Sequence, residues 1–90
     1  MTQKIDIQAH LLPIQCLSAD DFCAYWVPLI YGENLSEYQF NAASVKLLVS
    51  FTGRNRKTIN KWFGNKENTP RPVGQTLYLL DFLLKIKLSI

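Results

Sequence analysis

An all-α fold, a bundle of four to five helices containing a helix-turn-helix, is predicted by three features of this 90-residue chain. Apolar residues recur at three- and four-residue spacings in several separate segments. Helix-capping and helix-ending residues (Ser18, Gly32, Asn41, Gly53, Asn55, Gly64, Pro72) punctuate those segments. The only strand-like alternation is Ile5 and Ile7, a hint of a short extended segment near the N-terminal end. Hydrophobic residues make up 48% and charged residues 19%, which suits one small core and excludes both a disordered chain and a two-domain architecture. The expected organisation is a single domain over 1–90: an arm at 1–17, a helix-turn-helix core at 42–64 and a C-terminal helix at 72–87.

The first helix begins after Ser18, whose hydroxyl caps it while Asp20 and Asp21 sit in the first turn, where the helix dipole favours carboxylates. Phe22, Trp26 and then Leu29 or Ile30 have the spacing of a core-facing stripe, and Pro28 is expected to end or kink the helix before Gly32 closes it. Glu33 to Phe40 reads as an irregular connection. Asn41 is the expected cap of a second helix from about Ala42 to Phe51, with Val45, Leu48 and Val49 as its apolar stripe and Leu47 beside it, ended by Gly53. Asn55 can cap a third helix from Arg56 to about Phe63, with Ile59, Trp62 and Phe63 inward and Gly64 as its stop. A polar loop, Asn65 to Pro72, leads to the last helix, which runs to about Lys87.

Charge is distributed unevenly. Up to Val45 one lysine faces five acids, a balance of −4; from Lys46 onward nine Lys and Arg face two acids, a balance of +7. Between Arg54 and Lys66 lie five cations and no acid, a local field that attracts a polyanion. Cys16 and Cys23 with the single His10 have no metal-ligand spacing, so no metal site or other cofactor is expected. His10 has no nucleophile at a motif spacing, and adjacent Asp20 and Asp21 point to different helix faces, so no enzyme is expected. The first residues lack the apolar core of a secretory signal, and the apolar run near Leu77 to Ile90 is broken by Asp81, Lys85 and Lys87. The expectation is a cytoplasmic protein with free thiols and no membrane or small-molecule partner.

The informative stretch is Leu47 to Gly64. A helix-turn-helix needs a tight turn, here at Gly53, inward apolar groups, here Val49, Ile59 and Trp62, and an exposed start to its second helix. The outward positions are then Asn55, Arg56, Lys57, Asn60 and Lys61. These are side-chain types that read base edges, Arg or Lys on guanine and Asn on adenine.

Thr52-Gly53-Arg54-Asn55-Arg56-Lys57-Thr58-Ile59-Asn60-Lys61-Trp62, followed by Pro70, Pro72 and the apolar helix Leu77 to Leu84, resembles the Cro and lambda-repressor-like helix-turn-helix family, in particular its small phage- and plasmid-type regulators. The resemblance spans roughly residues 42–86. It implies a sequence-specific regulator of transcription, a repressor of double-stranded DNA targets, with the helix starting at Arg56 in the major groove. It places Arg56, Lys57 and Lys61 toward bases and Arg54, Asn55 and Lys66 toward phosphates. Arg54 departs from the apolar residue common after the turn glycine, and the first 40 residues match only in a first helix at Ala19 to Val27.

The rival reading is a protein-binding adaptor or antitoxin-like partner on the same scaffold, using the acidic, aromatic half (Phe22, Tyr25, Trp26, Tyr31, Tyr38, Phe40). Such a module has no need of five uninterrupted cations. The last helix carries two apolar stripes, Val73, Leu77, Leu80 and Leu84 on one face and Leu79, Phe82 and Ile86 on another. One core cannot easily use both, which makes a homodimer through this helix the expected assembly, with the arm folding back over the second stripe as the alternative.

Overall fold

The computed structural model describes residues 15–88, which form four α-helices, one 3-10 turn and no strand. The expectations for Ile5, Ile7, His10 and most of the arm lie outside the described residues. Helix α1 spans Ala19–Tyr31, α2 Glu37–Thr52, α3 Arg56–Asn60 and α4 Arg71–Leu88; the 3-10 turn, Lys66–Asn68, lies between α3 and α4. The all-α bundle is therefore as expected.

α1 starts where Ser18 Oγ accepts the Asp21 N–H at 3.1 Å. It does not stop at Pro28. The proline sits in the last turn, where the helix ends with Gly32 N–H donating to Pro28 O at 3.0 Å, so the missing proline N–H removes one bond and leaves the rest of the ladder intact. Phe22, Cys23, Trp26 and Val27 are fully buried, but Leu29 and Ile30 are about half exposed, contrary to expectation. They share the face of Phe22 and Trp26 by helical period, yet lie beyond the elements that would cover them.

α2 begins five residues earlier than the sequence reading placed it. Ser36 is the cap, not Asn41: Ser36 Oγ accepts the Gln39 N–H at 3.1 Å while Gln39 Oε1 accepts the Ser36 N–H at 2.9 Å. This reciprocal pair satisfies two backbone donors at once and outcompetes Asn41, which becomes an ordinary exposed helical residue. The buried stripe of α2 is Ser44, Leu47 and Leu48, with Val45 half-buried; Val49 is 38% exposed and does not face the core. Ser44, a small residue, lets α1 approach closely, and its carbonyl lies 4.0 Å from Cys23 Sγ.

α4 packs on α1 through Leu77, with Val73, Leu80 and Leu84 half-buried against the same core, as the first stripe predicted. Two links fasten this pair. Leu17 N–H donates to Gly74 O at 3.0 Å, and a Cβ on Gly74 would sit 3.0 Å from Cys16 Cβ, so only glycine lets residues 16–17 pass there unstrained. Further along, Trp26 Nε1–H donates to Asp81 Oδ1 at 2.8 Å, and Lys85 both pairs with Asp81 at 3.1 Å and lies 4.9 Å over the Tyr25 ring. No described helix is long and apolar enough to cross a membrane.

Candidate nucleic-acid interface

The candidate site is the turn Gly53–Asn55 with α3. Its geometry is set locally. Gly53 takes the left-handed conformation (φ 71°, ψ 4°) and donates to Val49 O at 3.0 Å, which turns the chain out of α2. Thr52 Oγ1 donates back to Leu48 O at 2.7 Å and accepts the Arg54 N–H at 3.2 Å, which ties the turn to the end of α2. Asn55 then caps α3, its Oδ1 accepting the Thr58 N–H at 2.8 Å. With the oxygen engaged, the Asn55 amide NH2 keeps its donors for another acceptor.

α3 begins at Arg56 as expected but ends at Asn60, three residues short of Phe63. The bonds Lys61 N–H to Thr58 O and Trp62 N–H to Ile59 O tighten the last turn. That tightening swings Trp62 into the core beside Ile59, at 3% and 0% exposure, while Phe63 is half-buried and Gly64 (φ 97°) reverses the chain. Trp62 is thus the inward clamp the spacing predicted. The loop behind it is tied to α1, since Asp20 accepts the Gly64 N–H at 3.0 Å and Ala19 N–H donates to Thr69 Oγ1 at 2.9 Å.

The seven residues singled out from the sequence, Arg54, Asn55, Arg56, Lys57, Asn60, Lys61 and Lys66, are all exposed, but they do not form one surface. Arg56 and Asn60, one turn apart, share a shallow cleft with Tyr38, Asn41 and Ala42 of α2. Lys57 and Lys61 make the neighbouring i, i+4 row. Arg54 instead borders a cleft with Thr52, Pro72 and Thr76, toward the start of α4. Lys66 stands apart and pairs with Asp21 at 3.8 Å. Among the described residues, no ion pair engages Arg54, Arg56, Lys57 or Lys61.

Sequence reasoning gave Tyr38 and Asn41 other roles and missed their place beside Arg56 and Asn60. Tyr38 is 82% exposed, an unusual position for an aromatic ring, and it lies on the rim of the Arg56–Asn60 cleft. The Ser36-x-x-Gln39 spacing was the available signal: starting α2 there puts Tyr38, Asn41, Ala42 and Val45 on one face. The aromatic surface of the rival reading is thinned, because Phe22 and Trp26 are fully buried and Phe40 is half-buried, leaving Tyr25, Tyr31 and Tyr38 outside. Comparison of the chain with family models, with curated proteins and with solved structures finds no match.

Proposed function

We propose that this protein is a sequence-specific double-stranded DNA-binding regulator, acting in the cytoplasm as a repressor by occupying its site. The observation that carries the reading is the unneutralised cationic turn and helix: Arg54, Arg56, Lys57 and Lys61 are exposed, close in sequence and free of carboxylate partners among the described residues. Four cations held on so short a span repel one another, and a polyanion relieves that repulsion.

In this reading α3 lies in the major groove with Arg56 and Asn60 on one edge and Lys57 and Lys61 on the other. Arg and Lys suit guanine O6 and N7, and Asn suits adenine N6 and N7. Arg54 and the free amide of Asn55 reach the flanking phosphates. Lys66 contributes a weaker phosphate contact, because Asp21 competes for it. Tyr38 and Asn41 border the same groove-facing edge.

Selection of bound sequences from random duplex DNA tests the reading, and enrichment of a defined motif is the expected result. Arg56→Ala and Lys57→Ala then lose about 1–3 kcal/mol on the selected site and relax its sequence preference. Two phosphate-neutralising cations, Arg54 and Lys66, give a slope of log K against log salt of about −2. Absence of any enriched sequence, with affinity unchanged by these substitutions, overturns it.

A further inference from the structure

α2 and α3 leave a trough between them. Two adjoining hollows of about 210 and 200 Å³ share Asn41, Val45 and Asn60; the inner one is closed by Ser44 and Phe63, and the outer one opens past Ala42 between Tyr38 and Arg56. Together they fall at the lower end of the range for small-molecule sites, roughly 300–1,000 Å³.

Ser44 marks the trough as more than a packing fault. Its side chain is buried, at 1% exposure, and its Oγ has no hydrogen-bond partner. The other hydroxyls of α2 do not behave this way: Ser50 Oγ donates to Lys46 O at 3.1 Å and Thr52 Oγ1 to Leu48 O at 2.7 Å, the ordinary bond of a helical hydroxyl to the carbonyl one turn back. A buried hydroxyl without a partner is destabilising, and one set in the wall of a hollow is completed by a polar atom bound there. Asn41 and Asn60, both exposed, flank it with carboxamides that each carry two donors and an acceptor.

We propose that the trough binds a nucleotide, an adenine base with its phosphate. The wall chemistry selects it. A carboxamide pairs bidentately with adenine N6 and N7, and two of them with the Ser44 hydroxyl supply the mixed donor and acceptor edge that a base requires. Ala42, Val45 and the half-buried Phe63 give apolar surface to the ring, and Tyr38, 82% exposed, is free to stack on it. Arg56 stands at the mouth with a guanidinium suited to phosphate. No carboxylate lines either hollow, which argues against an amine ligand. Arg56 and Asn60 are also the side chains assigned above to base edges. One consequence rests on that reading: an occupied trough and a bound duplex exclude each other, so the nucleotide releases the DNA.

Calorimetric titration of the full chain with adenosine monophosphate, without DNA, tests the site apart from any duplex binding. A Kd below about 100 micromolar is expected, with cytidine monophosphate at least about 10-fold weaker and inorganic phosphate weaker still. Ser44→Ala removes a hydroxyl that has no partner in the fold, so it should weaken the nucleotide about 5- to 10-fold while the melting temperature stays equal or rises. Asn60→Ala, at an exposed position, should weaken it as much. Inorganic phosphate bound as tightly as the nucleotide would reduce the site to an anion contact at Arg56 and overturns the inference, as do a Kd above about 1 millimolar or variants that bind as tightly as the parent. A chain that enriches a DNA motif but takes no nucleotide overturns the site alone; one that takes the nucleotide and enriches no motif supports the site and overturns the DNA reading.

Discussion

Residues 53–61 and residues 79–88 are both solvent-facing surface next to the same core, yet they are held in opposite ways. The first is short, polar and cationic, and the side chains of Thr52 and Asn55 hold its turn and its helix start from within a few residues. Its position depends on two buried pins, Ile59 and Trp62. The second belongs to an 18-residue helix, and its outer side chains are apolar and about half exposed. A cationic surface without acids asks for an anion; an apolar one asks for its like. The contrast teaches that exposure alone does not mark a site, and that the chemistry of what is exposed distinguishes the partner.

If the first surface is positioned by its pins, removing one should disturb the whole domain. Trp62→Ala is expected to lose about 3–5 kcal/mol in denaturant unfolding, since it leaves a large cavity between α3 and the rest of the core. A variant with the parental midpoint would show that the α3 register does not depend on that contact.

The core beneath both surfaces should carry a signature in pH. Burial pushes the Cys23 thiol up from 9.0 to about 11, with the Asp20 charge adding to the rise and the Ser44 contact opposing it. Between those values the unfolded chain loses the thiol proton and the folded chain keeps it, so stability falls as pH rises from about 9 to 11, by on the order of 2 kcal/mol. Unfolding curves of the parent and of Cys23→Ala across that range should differ in slope, the variant being flatter. Parallel slopes would place Cys23 in contact with water.

A smaller effect separates local from tertiary control of the turn. Asn55→Ala removes the α3 cap and is expected to lose about 1 kcal/mol, whereas Asn41→Ala, at a position that caps nothing, should stay within about 0.5 kcal/mol of the parent. Equal losses would mean that α3 is held by packing alone.

Smallest of all is the outer stripe. Leu79→Ala should change the stability of the isolated monomer by about 0.5 kcal/mol, because the side chain is already about half open to water and alanine is the better helix former. A loss of 2 kcal/mol or more in dilute, monomeric protein would mean that something in the same chain covers α4, and the contrast between the two surfaces would lose its basis.

Much of this was legible in the sequence wherever the signal is local. Ser18, Gly53 and Asn55 act within four residues of themselves, and each does what its type implies. Ile59, Trp62, Leu77 and the two stripes of α4 followed from period alone. The misreadings share a cause. Asn41 and Ser36 are both good caps, and only the Gln39 reply, a side-chain bond that spacing suggests without proving, decides between them. Leu29 and Ile30 have the right face but no neighbour, because periodicity gives the direction of a side chain and says nothing of what stands there. Within Leu47-Leu48-Val49 a rotation of 100° per residue puts Val49 outside, and the crossing of α2 with its neighbours sets that rotation. The candidate site was legible in its cations and illegible in its grouping: which of them share a surface depends on how α2 and α4 flank the turn.

The ties of α1 to the rest of the chain have a consequence for the order of assembly. Ala19 to Thr69, Asp20 to Gly64 and Trp26 to Asp81 join residues 50, 44 and 55 apart, whereas the caps of α2 and α3 and the turn between them close within four residues. Short closures lose little chain entropy and form early; closing a segment of about 50 residues becomes favourable only once both of its ends have something to dock on. Docking of α1 on the chain beyond α3 is then the step expected to limit folding, and Asp81→Asn should slow refolding more than Asn55→Ala does, relative to the stability each removes.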